Sequence, residues 1–312
     1  MVHLFFGENS YAIRQAVNEL ARAVRAQAGE QAVERFEGDQ LESKELANIL
    51  QGTTLFAAEK LVVITNASKN KALWVELEKY IEAMPEGTDL VLVETAPDRR
   101  TKTFKLLQKH ATVKEERALS HAEAARWLVA AAKERGGVLS AKQATQLVEL
   151  AGTDQWRLSN ELDKLLAHGI SNDAIEQLVE PTPQASVFAL LDAALHRNRQ
   201  AVVSQLATVK TAEDPYMLFG LLSTQVVQLA ALVHGNGRLP EEIAKTLGVH
   251  PFPLKKLTPL ARQTSPSELG GIIEVVATLD MQLKSTGLDP WLLMEQALSK
   301  IAARERQPGA VR

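Results

Sequence analysis

Leu90-Val-Leu-Val-Glu94 places a carboxylate directly after four apolar residues. In nucleotide-hydrolysing motors such a strand brings an acidic side chain towards a magnesium ion. That chemistry also needs a phosphate loop, GxxxxGK[ST]: its amides cradle phosphates, its lysine neutralises them and its hydroxyl binds the metal. After its first apolar run this chain has Gly7-Glu-Asn-Ser-Tyr11 instead, and Gly-Lys-Ser/Thr occurs nowhere. Glu8 would put negative charge where a triphosphate sits. Losing the lysine and the magnesium ligand together removes most of the electrostatic reason for ATP to bind. Without the loop, the simpler reading of Glu94 is a strand end meeting solvent.

Other catalytic patterns are missing as well. The seven histidines are scattered and none has HExxH spacing, and there is no GxSxG elbow. The absence of cysteine excludes disulfides, thiol catalysis and Cys-ligated zinc. Glu115-Glu116, Glu213-Asp214 and Glu241-Glu242 are adjacent carboxylates, which point apart on a helix and read as solvated faces. Gly235-Asn-Gly237 lacks the rest of a dinucleotide fingerprint and reads as a loop ending a helix. No catalytic residue, metal site or cofactor is expected.

Three features point to binding instead. Arg99, Arg100, Lys102, Lys105 and Lys109, with His110, form a basic stretch. Lys102, Lys105 and Lys109 share a helix face while Phe104 and Leu107 turn inward. This face is either simply solvated or a contact for phosphates or an acidic partner. Ile243 to Val249 followed by Leu254-Lys-Lys256 has the outline of a helix-turn-helix with Gly248 at the turn. Pro251 and Pro253 sit where a reading helix should begin, and polar side chains for base edges are lacking there. Leu55-Phe56 follows the Gly52-Thr-Thr54 turn, in a helix-to-strand connection of a kind that usually faces water. The pair either plugs the domain's own core or is an exposed anchor for a partner's hydrophobic pocket. Burying two such side chains is worth roughly 1.5–3 kcal/mol each, enough for a hot spot.

The elements that must carry these residues follow from periodicity. Over the first ~115 residues strands alternate with helices. The strands are His3–Phe6, Ala32–Phe36, Leu61–Ile64 and Leu90–Val93. Between them lie a helix with Ile13, Val17, Leu20 and Val24 at helical spacing, one capped by Ser43, and one over Lys71–Met84. Short apolar strands separated by helices imply a parallel sheet covered on both faces. From residue 120 the pattern is helical. Ser120 with Glu123 and Ser140 with Gln143 read as capping boxes, and Gly136, Gly152 and Gly169 as helix stops. A short helix follows near Asp173–Val179, and Pro181-Thr-Pro183 reads as a linker. Beyond it, Asp214-Pro215, Ser265-Pro266 and Asp289-Pro290 each set a capping acceptor before a proline in the first helical turn. The most membrane-like stretch, Phe219 to Val233, is short and interrupted by Gln225 and Gln228, so it reads as a buried helix. With a net charge of −3, any nucleic-acid contact must be a local patch. No leader segment is evident, and a cytoplasmic protein is expected.

Taken in order, these landmarks resemble the delta-subunit family of bacterial clamp loaders. Phe6-Gly-Glu8 with Tyr11 and Ile13 resembles its opening strand and degenerate loop. Thr54-Leu-Phe-Ala57 with Lys60 to Ile64 is similar to its clamp-binding element and next strand. Asp98-Arg-Arg100 with Lys102 resembles the basic stretch after the fourth strand, although Pro97 stands where the family tends towards an apolar residue before Asp-Lys-Arg. Asn160 to Leu165, Val187-Phe188 with Asp192 to Leu195, Leu247 to Lys256, and Leu279-Asp280 with Leu283-Lys284 resemble signatures of its later helices.

The resemblance implies an α/β N-terminal AAA+-like domain with a parallel sheet, a small helical bundle and an all-α C-terminal collar domain. The expected boundaries are 1–118 for the clamp-binding domain, 119–181 for the lid-like bundle and 182–312 for the collar. It also implies a subunit of the replicative DNA polymerase holoenzyme that binds the sliding clamp (beta) and promotes its opening, with no ATP hydrolysis of its own. Implied partners are the ATPase subunits (gamma/tau), delta-prime and, through the assembled complex, primer–template DNA; no membrane is expected. It maps the clamp-gripping pair onto Leu55 and Phe56. Sister subunits of the gamma and delta-prime types carry a cysteine zinc module, and its absence favours delta. Two rivals stand beside this reading. An ATP-driven AAA+ protein would need nucleotide binding by the isolated chain. A helix-turn-helix DNA-binding protein would need sequence-selective binding through Lys255 and Lys256.

Overall fold

The computed structural model describes residues 1–51, 59–82, 84–235 and 237–303. These fall into two compact units, residues 1–131 with 153–163, and residues 132–152 with those from 164 on.

The first unit is built on a five-stranded sheet of order β2-β3-β4-β1-β5, every pairing parallel. The strands are β1 (Val2–Phe6), β2 (Val33–Glu37), β3 (Lys60–Thr65), β4 (Thr88–Glu94) and β5 (Thr112–Glu115). Helices α1 (Ser10–Ala28), α2 (Leu46–Gln51), α3 (Lys71–Glu76), α4 (Glu78–Ile81) and α5 (Lys102–His110) connect them. Side chains alternate across each strand, so one strand feeds two cores. Leu4, Phe6, Val62, Ile64, Leu90 and Leu92 turn to the face that also buries Leu46, Leu50, Leu73, Phe104 and Leu107. Phe5, Leu61, Val63 and Val91 turn the other way, onto Ile13, Val17, Ala21 and Val24 of α1. Burial on both faces is why the central strands read as continuous apolar runs rather than alternating ones.

Three local expectations need correction. The sheet has a fifth strand, β5, whose sequence Thr-Val-Lys-Glu has one apolar residue and whose exposure alternates as at a sheet edge. The helix expected over Lys71–Met84 is broken at Leu77 into α3 and α4. Ser43 is not the cap but the first residue of a short 3-10 turn, with Glu42 as its capping residue.

Beyond the sheet the chain is helical: α6 (His121–Glu134), α7 (Ala141–Ala151), α8 (Gln155–His168), α9 (Asn172–Leu178), α10 (Pro183–Leu195), α11 (Arg199–Val209), α12 (Pro215–Val233), α13 (Pro240–Leu247), α14 (Pro251–Gln263), α15 (Pro266–Ser285) and α16 (Pro290–Ala302). Both expected capping boxes form. Pro183 does not extend a linker but opens α10, with the Thr182 hydroxyl accepting the Ala185 N–H at 3.2 Å. Each Asp/Ser-Pro pair caps as expected: Asp214 accepts from Tyr216 and Met217, Ser265 boxes with Glu268, and Asp289 accepts from Trp291. Such caps contribute about 1 kcal/mol each.

Val187, Leu190, Leu191, Leu206, Leu222, Leu229, Ile272, Leu293 and Leu298 share one core across α10, α11, α12, α15 and α16. By length and composition α12 is apolar enough to cross a membrane. It instead sends Leu218, Leu222, Val226 and Leu229 into this core, together with the buried Gln225 and Gln228.

Candidate functional site

The turn after β1 spends its amides inside the protein. Gly7 has φ +127°, and a Cβ there would lie 2.2 Å from the Glu116 carbonyl oxygen. The Gly7 N–H donates to the Glu94 carbonyl (3.2 Å), that of Asn9 to the Glu116 carbonyl (3.1 Å) and that of Ser10 to the Glu8 carbonyl (3.1 Å). The side-chain carbonyl of Asn9 caps α1 by accepting the Ala12 N–H at 3.1 Å. Its Nδ2 donates to Gln155 Oε1 at 2.6 Å and to the Arg117 carbonyl at 3.3 Å. In a phosphate loop such amides converge on the ligand; here carbonyl groups already occupy them. A cleft of about 380 Å³ remains at the carboxyl ends of the strands. Among the described residues its lining includes Glu8 and Glu37, Arg14 and Arg35, and no lysine.

Glu94 is not at solvent, against the sequence reading. It is 2% exposed. Its carboxylate accepts the Ser68 N–H at 3.1 Å and the Ser68 hydroxyl at 2.5 Å. Burial pushes its pKa up, opposed by those Ser68 bonds. The residue that most resembles a magnesium ligand is thus tied to the turn that follows β3.

Beside the turn lie residues that sequence reasoning missed. Tyr11 stands edge-on to Trp127 (centroids 5.3 Å apart, 79°) and to Trp156 (4.9 Å, 77°). Trp156 Nε1 donates to Ser10 Oγ at 3.0 Å, and the Arg14 guanidinium lies 5.1 Å from the Trp156 ring centre. The available signal was two of the four tryptophans of the chain, one in α6 and one in the first turn of α8.

The basic helix is as expected in shape and less basic than expected in effect. Phe104 and Leu107 are buried and Lys102, Lys105 and Lys109 are exposed. Arg99 bonds Glu115 at 2.6 Å and lies over the Phe6 ring. Arg100 forms a two-bond fork with Asp98 and holds that carboxyl at about 2. Lys102 reaches Glu78 at 2.7 Å, a pairing that lowers the pKa of Glu78 and raises its own. Lys105 and Lys109 make no ion pair among the described residues.

The helix-turn-helix outline is also present, with Gly248 left-handed at φ +65° between α13 and α14. Its lysines have work within the fold: Lys255 pairs with Glu241 at 2.7 Å, and the Lys256 ammonium sits 4.3 Å from the Phe188 ring centre. Elsewhere in the helical unit, α12 and α15 flank an apolar groove of about 500 Å³, lined by Phe219, Gly220, Val227, Ile273 and Ala277 among others. Leu55 and Phe56 lie outside the described residues. The residues that flank that stretch, Gln51 and Glu59, are exposed. They stand at the end of α2 and just before β3, at the amino-terminal edge of the sheet. That edge is opposite the one that carries the closed turn.

A parallel sheet in this order, a closed turn after its first strand and a long helical region give an α/β domain followed by helices, the fold class of clamp-loader delta subunits. Residues 3–117 match the family model for the DNA polymerase III delta subunit, and residues 184–301 match the model for its C-terminal domain. The chain belongs to the DNA polymerase III delta-subunit family, clamp-loader subunits of DNA replication. It is 27% identical to the DNA polymerase III subunit delta of Bacillus subtilis (strain 168), covering 98% of this chain and 94% of that one. Among solved structures it is similar to the Bacillus subtilis DNA clamp loader delta protein, with a TM-score of 0.66, 24% identity and coverage of 97% and 95% of the two chains.

Proposed function

We propose that this chain grips the sliding clamp (beta) and promotes its opening, with no ATP hydrolysis of its own. The observation that carries this reading is the turn after β1, in a delta-family chain, where the Gly7, Asn9 and Ser10 amides are already bonded to the chain's own carbonyls. The grip is Leu55 with Phe56, presented to a hydrophobic pocket at one clamp interface. Binding is tighter to a clamp with a strained interface, which shifts its population towards opening. ATP acts on the sister subunits (gamma/tau), which with delta-prime complete a hetero-oligomer in the cytoplasm. The two family matches, ending at 117 and resuming at 184, support a division into a clamp-binding domain (1–118), a lid-like bundle (119–181) and a collar (182–312). The apolar groove between α12 and α15 supports assembly through the collar. Lys105 and Lys109 are the basic residues left for primer–template DNA; Arg99, Arg100 and Lys102 contribute less, being paired to carboxylates.

The test is calorimetric binding of the purified chain to a bacterial sliding clamp without nucleotide. Leu55→Ala/Phe56→Ala should weaken binding by about a hundredfold or more, given roughly 1.5–3 kcal/mol per anchor. Unchanged affinity in a variant that folds normally would sink the assignment of the grip.

A further inference from the structure

Three segments meet at the turn where a phosphate loop would stand, all within the first unit. They are the turn itself with the first residues of α1, the part of α6 around Trp127, and the first turn of α8. Tyr11 is 8% exposed and has both indoles edge-on to it at 5.3 and 4.9 Å. Ser10 accepts the Trp156 indole N–H, and Asn9 donates to Gln155 in a pair that is buried on both sides. Arg14, one helical turn after Ser10, stacks on the same Trp156. Four consecutive or near-consecutive residues of the turn and α1 therefore each hold a helix that follows the sheet. In a motor of this fold the equivalent turn holds nucleotide phosphates, and contact with the neighbouring helices changes as nucleotide comes and goes.

We propose that Tyr11, clasped between Trp127 and Trp156 and flanked by the Ser10–Trp156 and Asn9–Gln155 hydrogen bonds, is a permanent latch. It holds α6 and the start of α8 against the turn in place of a nucleotide, so this joint does not respond to ATP. The latch rests on the reading of a turn closed to phosphate, and is independent of any clamp contact. Two edge-to-face ring pairs about one buried phenol give it geometry as well as apolar contact, since such pairs prefer defined angles. The Asn9–Gln155 pair fixes the register, because leaving it unbonded would strand buried polar groups, and the indole N–H adds a directed bond to Ser10 at the surface.

Amide hydrogen exchange on the full-length chain tests this, read on peptides covering residues 7–14, 121–131 and 153–163, with sheet peptides 60–65 and 88–94 as the reference. In the wild type, ATP with magnesium should leave all of them unchanged. Tyr11→Ala should speed exchange in all three latch segments by about tenfold to a hundredfold, with the sheet still protected. Trp156→Phe keeps a ring and loses the indole N–H, and should give a smaller rise confined to residues 7–14 and 153–163. If Tyr11→Ala unfolds the whole chain, Trp156→Phe and Ser10→Ala decide: a local rise supports the latch and none overturns it. ATP-dependent protection of the wild-type segments, or unchanged exchange in a folded Tyr11→Ala, would also overturn it. The clamp titration reads none of these segments, so the latch and the grip can fail separately.

Discussion

At the carboxyl edge of the sheet, the Gly7, Asn9 and Ser10 amides, the Asn9 side chain and the Glu94 carboxylate are all bonded within the chain. On the outer face of α5, Lys105 and Lys109 project into solvent with no ion pair among the described residues. Both regions carry residues that sequence patterns associate with phosphate, a loop after a first strand and a row of cations. The first has become part of the structural interior, so changing it should cost stability. The second has remained surface, so changing it should cost binding alone. Chemistry legible as a motif is therefore kept or lost according to whether its hydrogen-bonding groups are already satisfied.

Gly7→Ala should break the closed edge most severely. It places a Cβ at φ +127° and 2.2 Å from the Glu116 carbonyl oxygen. Strained backbone and a carbonyl that must move together cost about 3 kcal/mol, read as a lower urea midpoint. An unchanged midpoint would mean that the turn relaxes freely and that the edge is not closed by packing.

Glu94 sharpens the same comparison. Glu94→Ala leaves the Ser68 N–H and hydroxyl without their acceptor and should cost about 1–3 kcal/mol. Glu94→Gln keeps an acceptor and removes the titration. Burial raises the folded-state pKa above the ordinary 4.5. The folded state therefore holds this proton more tightly than the unfolded chain does. The stability it contributes is full below 4.5 and is lost as pH rises through the higher folded value. Thermal melts should show Glu94→Gln gaining on the wild type from acid to neutral pH. A difference that stays flat across that range would show that Glu94 ionises at its ordinary pKa despite its burial.

Much of this fold could be read from residues. The apolar runs at Leu61–Ile64 and Leu90–Val93 mark central strands because both their faces are covered. The Asp/Ser-Pro pairs mark helix starts because a capping oxygen and a residue without an N–H suit the same two positions. The edge strand Thr112–Glu115 was not legible, since half-exposed pairing at an edge needs no apolar run. Pro181-Thr-Pro183 reads as linker because proline can end a helix or begin one, and only the Thr182 cap decides which. The site was legible as an absence, no Gly-Lys-Ser/Thr after Gly7. What replaces the ligand was not, because Tyr11, Trp127 and Trp156 are far apart in the chain and meet only in the fold. Likewise, spacing displayed the basic face, but it took Glu78, Asp98 and Glu115 to show which cations are already neutralised.

The smallest effect on stability is expected at that face. Lys105→Ala/Lys109→Ala removes two exposed cations whose helix is held by the buried Phe104 and Leu107. Its urea midpoint should stay within about 0.5 kcal/mol of the wild type. If the two lysines meet phosphates, the assembled loader should bind primer–template DNA with a shallower salt dependence. The slope should fall by roughly one for each phosphate no longer neutralised. Lys102→Ala should change that slope less, because Glu78 already pairs with its ammonium. A slope unchanged by the double substitution, with assembly intact, would make α5 a solvated face. It would also remove the contrast with the sheet edge, since neither region would then present phosphate-binding groups to a partner.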